Sequence, residues 1–218
     1  PDTCLEKATK KKMNPKMLAS FEDGSKTMIE MAALANAINL PPDRAGMNGP
    51  VSEVSDLNKI LIPQEDGGVL SSSGRVDYAF GPAPGVFSIV KSENITVIEE
   101  MEYLSMGEGP YYTFYRPYHL ASIEAPRSIG MAIINEEAGL QPTTWIAEVV
   151  GHAKKDLSKG EMVDGIGGFN SYGVTYPVQE AKNLVPLGLL EGAEIISDIK
   201  LTEISNNRLK KLYIIYIF

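Results

Sequence analysis

Two short stretches hold side chains whose types and spacing could do chemistry. GPYYTFYRPYHL, residues 109–120, places five aromatic rings together with Arg116 and His119, one of only two histidines in the chain. Pro117 fixes one backbone angle and interrupts a regular ladder. Tyr115, Arg116, Tyr118 and His119 therefore need not alternate as in a simple strand. Phenol hydroxyls, a guanidinium and an imidazole suit a polar, oxygen-rich ligand, and an unperturbed histidine titrates in the range for general acid–base work. The same residues also suit an aromatic core with Arg116 stacked across it. Both readings stand on the residues alone.

DGSKTMIE, residues 23–30, opens the clearest helix of the sequence. Thr27 and Glu30 have the spacing of a capping box, which predicts a helix over 27–38 ended by Asn39 and the prolines at 41–42. Its N-terminus would present free backbone N–H groups and the positive end of the dipole beside Lys26, a workable cradle for an anion. A plainly capped helix with a solvated lysine is the alternative. DRAGMNGP, 43–50, sets Arg44 in a glycine-bearing loop, where a guanidinium can grip a carboxylate or phosphate through two parallel hydrogen bonds. DGIGGF, 164–169, departs from G-x-G-x-x-G because Asn170 takes the last glycine position and no amphipathic helix follows, so turn glycines explain it better. Asn94-Ile95-Thr96 matches a glycosylation acceptor without a secretory signal to support it.

The elements that must position these residues are mixed. Residues 3–12 have helical composition, broken at NPKM because Pro15 disfavours a helical Asn14. From about residue 60, glycine-rich punctuation separates short β-rich runs, RVDYAF and GVFSIV. Ser128 to Ile134 predicts a short helix. Antiparallel strands fit this texture better than a repeated βαβ unit. QPTT, 141–144, marks a boundary, and the short strands and tight turns beyond it predict a small β-rich module that packs separately from 1–140.

Composition narrows the function. A net charge of −8 argues against duplex nucleic acid as a partner. The longest apolar run falls far short of a membrane span and no signal-peptide pattern opens the chain, so a cytoplasmic location is expected. The single cysteine, Cys4, excludes an internal disulfide framework. With two scattered histidines it makes no metal site.

Taken together, SFEDGSKTMIEMAALANA, PPDRAGMNGP, GRVDYAFGPAPGVFSIV, MGEGPYYTFYRPYHLASIEAPRSI and AKKDLSKGEMVDGIGGFNSYG resemble one family. It is that of the homoserine-dehydrogenase-like NAD(P)-dependent oxidoreductases with a C-terminal SAF domain, which include the deoxyxylulose-phosphate reductoisomerase-like enzymes of isoprenoid synthesis. The resemblance runs over about residues 1–200 and implies an α+β fold. A mixed α/β catalytic-domain remainder, 1–146, would be followed by a small β-rich SAF (β-clip-like) module, 147–218. It further implies that Asp23, Lys26 and His119 are catalytic, and that Arg44, Tyr115, Arg116 and Tyr118 bind a small anionic substrate. Lys26, Arg44, Arg116 and His119 would converge on one cleft. The family's Rossmann domain and its glycine fingerprint do not occur in this sequence, and Pro1 falls inside the catalytic region. A truncated product is therefore expected, with no NAD or NADP bound by this chain alone, a Rossmann domain as partner and a homo-oligomer as the assembly. The alternatives are a non-catalytic ligand-binding or oligomerisation module, or an inactive remnant.

Overall fold

The structure is a computed structural model that describes residues 1–117 and 121–201. In chain order its elements are α1 (Leu5–Lys11), α2 (Pro15–Glu22), α3 (Ser25–Ile38), α4 (Leu57–Ile60), β1 (Gly85–Lys91), α5 (Ile95–Tyr103), β2 (Tyr111–Pro117), α6 (Ala121–Gly130), a π-helical turn (Met131–Asn135), β3 (Ala147–Ala153), β4 (Ser171–Pro177) and α7 (Val178–Ala181). No helix among the described residues is long and apolar enough to cross a membrane. Among the described residues both sheets are antiparallel and two-stranded, so the fold is mixed α and β as expected.

The chain forms two compact units, one from Pro1–Met47 with Pro142–Phe218 and the other from Asn48–Gln141. This grouping differs from the linear division at 146/147. The β-rich segment does not stand apart, because α3 packs against β3 and β4 and supplies polar partners to them. Gly173 N donates to Ser25 Oγ at 2.9 Å, and Thr175 Oγ1 donates to Met28 O at 2.7 Å. Asn36 Oδ1 accepts from Ile146 N at 2.9 Å and Ala147 N at 3.0 Å. Each bond satisfies a buried or half-buried backbone group that would otherwise be costly to leave alone.

In this first unit Lys12, at φ +53°, ends α1 and Asn14 starts α2. Its side chain accepts from Lys16 N and Met17 N, with Pro15 at the first helical position. Helix α3 begins at Ser25, two residues before the expected capping box at Thr27. Gly24 at φ +83° is the N-cap, and Asn39 at φ +57° ends the helix as expected. Met28, Ala32 and Ala35 form its buried stripe. Strands β3 and β4 pair from Ala147↔Pro177 to Ala153↔Ser171, with Gly151 opposite Gly173. Those two glycines let leucines approach. A Cβ on Gly151 would lie 2.0 Å from Leu190 Cδ1, and one on Gly173 would lie 2.6 Å from Leu187 Cδ2.

The second unit is centred on Leu57, Leu61 and Leu70, against which Phe87 and Ile89 of β1 pack. RVDYAF is not a strand but a loop. Asp77 accepts from Asn48 N and Gly49 N, both at 3.0 Å, and Phe80 bridges to Val51. GVFSIV does form β1, paired with β2 from Gly85↔Pro117 to Lys91↔Tyr111. Helix α5 was not legible as a helix. Asn94, read as a glycosylation match, is its N-cap, accepting from Thr96 N at 3.0 Å and Val97 N at 3.4 Å. The helix expected over 128–134 starts earlier, as α6, and runs into the π-helical turn.

Candidate functional site

In the second unit the aromatic stretch forms strand β2. The Tyr115 hydroxyl donates to Pro82 O at 2.6 Å and so fixes the loop before β1. Arg116 is 60% exposed and pairs with Glu124 of α6. Tyr118 and His119 lie outside the described residues. Val86, Ser88, Phe114 and Arg116 line one side of an open groove of about 630 Å³. At the far end of the sheet the Tyr111 hydroxyl donates to Asp66, and Lys91 lies 3.3 Å from the same carboxylate. The Tyr111 bond, aided by Lys91, holds the Asp66 carboxyl below the usual carboxylate range. This network ties the loop at 64–66 to the sheet edge.

In the first unit Asp23, Lys26 and Arg44 occupy different environments. Lys26 is half exposed, 3.7 Å from Glu30 one turn along its own helix and over the Phe21 ring at 5.9 Å. Arg44 Nε donates to Met47 O at 3.3 Å. Asp23 sits at the helix start, where its Oδ1 accepts from Ser25 N at 2.8 Å. The expected anion cradle is thus already filled by a carboxylate of the chain, the charge that a helix N-terminus favours. The second Asp23 oxygen lies 2.6 Å from Lys154 Nζ, with the two side chains 14% and 21% exposed. Lys154 Nζ also donates to Gly168 O at 2.7 Å.

Lys154 falls in the charged run KKDLSKGE. Strand alternation gives the signal that could have found it. In IAEVVGHAK, Val150, His152 and Lys154 fall on one face, and Lys154 N extends the ladder by donating to Asn170 O at 3.0 Å. His152, one of the two scattered histidines, is not isolated in the fold. Its Nε2 lies 3.1 Å from the Tyr176 hydroxyl, and its ring stacks on Tyr176 and tilts against Tyr172, which faces it across the strand pair. Burial pushes His152 down to about 4, so the imidazole is neutral at pH 7. Burial raises Tyr172, and the nearby Asp23 charge raises it further, so its phenol keeps its proton. Tyr176 is raised in the same direction by burial.

This arrangement holds one ammonium against the Asp23 carboxylate, with phenols and a neutral imidazole on the same sheet face, groups able to donate to or accept from ligand oxygens. It does not resemble a dinucleotide cradle. Gly165 and Gly167, at φ +78° and +70°, are turn glycines as expected. A Cβ on Gly167 would lie 2.0 Å from Lys16 O, so the loop is packed on α2 and leaves no berth for a pyrophosphate there. Among the described residues no group of three or more His, Cys, Asp or Glu could hold a metal ion.

No curated protein matches the sequence significantly. The family described as Oxidoreductase DRL, catalytic domain, matches residues 1–125, which include Asp23, Lys26, Arg44, Tyr115 and Arg116. More than half of the sequence is thereby accounted for, and the chain belongs to the oxidoreductase DRL family through its catalytic domain.

Proposed function

We propose that the chain supplies the substrate side of an NAD(P)H-dependent, homoserine-dehydrogenase-like oxidoreductase. Its substrate is a small hydroxylated carbonyl compound carrying a phosphate or carboxylate, of the kind handled by reductoisomerase-like enzymes of isoprenoid synthesis. The reading is carried by the family match over residues 1–125. The fixed ammonium of Lys154 beside Asp23 supports it, because carbonyl reduction needs a positioned donor at the substrate oxygen. The guanidinium of Arg44 suits the anionic end. Tyr115, Arg116, Tyr118 and His119 complete the residues assigned by family resemblance.

A nicotinamide cofactor supplies hydride chemistry in such enzymes. The loop at 164–168 does not fit a dinucleotide, so no step is assigned to that group in this chain. A Rossmann domain, joined covalently or supplied in trans, is the proposed source of the cofactor, and 147–218 is the proposed SAF-type module. A cytoplasmic homo-oligomer is the proposed setting. A non-catalytic oligomerisation role is the second reading, favoured by Ile123, Ile133 and Ile134, which are 72%, 74% and 80% exposed.

Calorimetric titration of the 218-residue chain separates these readings. Saturable binding of dihydroxyacetone phosphate, with NADPH and NADH bound weakly or not at all, is the expected result. Micromolar binding of either nucleotide, or no binding of the phosphorylated ketone, would overturn the proposal.

A further inference from the structure

The geometry points to Lys154, rather than Lys26, as the ammonium that meets a neutral carbonyl or hydroxyl oxygen of the substrate. This rests on the substrate class proposed above and adds which atom of that substrate is recognised. An ammonium has three N–H donors. One of those of Lys154 is donated to Gly168 O at 2.7 Å, and the nitrogen stands 2.6 Å from Asp23 Oδ2 as an ion pair. Asp23 is itself held by Ser25 N at 2.8 Å. The nitrogen is therefore held between a helix start and a turn, at the end of a strand. Donor capacity remains, on a side chain that is 21% exposed.

Lys26 lacks these features. It is 46% exposed, and its carboxylate neighbour at 3.7 Å is on its own helix. Holding a long flexible side chain to one geometry there would cost the entropy that makes surface ion pairs weak. The ligand atom follows from charge. Lys154 is already neutralised by Asp23, so a phosphate brought to the same place would meet the Asp23 carboxylate at short range. An uncharged oxygen meets no such penalty. Tyr172, opposite His152 in the strand register, lies on the same sheet face as Lys154.

The test is a pair of ligands differing in one oxygen. Dihydroxyacetone phosphate and 3-hydroxypropyl phosphate, which lacks the C2 oxygen, are titrated into the full chain and into Lys154→Met, Lys154→Arg and Lys26→Met, with thermal unfolding followed in parallel. A site built to hydrogen-bond an oxygen rejects the analogue without it. The native chain should prefer the ketone at least about tenfold. Lys154→Met should bring that ratio to about one, and Lys26→Met should leave it within about twofold. Lys154→Arg keeps the ion pair, so it provides a folded comparison should the methionine variant unfold, and its ratio should also fall. A ratio that survives both Lys154 substitutions, or collapses in Lys26→Met, overturns the assignment while the proposed substrate class stands. Failure of the native chain to bind either phosphate ester overturns the substrate class and the assignment together.

Discussion

Asp23 and Lys154 form a partly buried ion pair, 2.6 Å between Oδ2 and Nζ, that joins the start of α3 to the end of β3. The pair fastens the N-terminal helices to the β-rich segment within one compact unit. Removing one partner leaves the other charge with reduced solvation, whereas removing both does not. Asp23→Asn and Lys154→Met should each lower unfolding stability by roughly 1–3 kcal/mol, and the double variant by clearly less than their sum. Equilibrium urea unfolding of the four chains gives the coupling directly. Simple additivity would mean that the pair is not formed in solution.

The sequence made some of this legible and hid the rest, for physical reasons. The α3 helix, the turn glycines of DGIGGF, the strand GVFSIV and the antiparallel pairing follow from local periodicity and turn chemistry. Asn94 and Asn14 show where local reading stops short, since a cap and a loop residue look alike until the following turn is known. Lys154 is harder to read for a different reason. Its partners, Asp23 and the Gly168 carbonyl, come from other segments of the chain, so only the alternation of the preceding strand points to it. The interleaving of 1–47 with 142 onward has the same origin, because Ser25, Met28 and Asn36 bond to strands far along the chain.

His152 gives the first unit a dependence on acid. Its folded value, about 4, lies below the ordinary 6.5, so between these values the unfolded chain binds the proton and the folded chain does not. Its contribution is complete above about pH 6.5 and is lost as the pH falls toward 4, to a limit of roughly 3 kcal/mol. His152→Gln should flatten this part of the stability curve while leaving the loss at lower pH, where Glu22 and Glu161 protonate. Urea midpoints measured from pH 7.5 to 4 in both chains check it. Parallel curves would exclude His152 as the source.

Two glycines with positive φ should respond differently to alanine. At Gly24 the added Cβ meets open space, so Gly24→Ala carries only the conformational cost of about 1 kcal/mol. At Gly167 it meets the Lys16 carbonyl at 2.0 Å, so Gly167→Ala should cost about 2 kcal/mol or more. Differential scanning calorimetry of both variants reads the contrast. Equal melting temperatures would mean that the 164–168 loop is not seated on α2.

Arg116 lies on an exposed rim and pairs with Glu124, an arrangement that contributes little to folding. Arg116→Ala should change unfolding stability by no more than about 0.5–1 kcal/mol, read by urea unfolding. A larger loss would make Arg116 a structural residue.

A crystal structure of the chain with dihydroxyacetone phosphate decides where the substrate sits. The ligand is expected in the first unit, its carbonyl oxygen about 3 Å from Lys154 Nζ, with the Asp23–Lys154 pair intact. Density for the ligand at Lys26, or only in the groove lined by Val86, Phe114 and Arg116, would contradict the site drawn around Lys154.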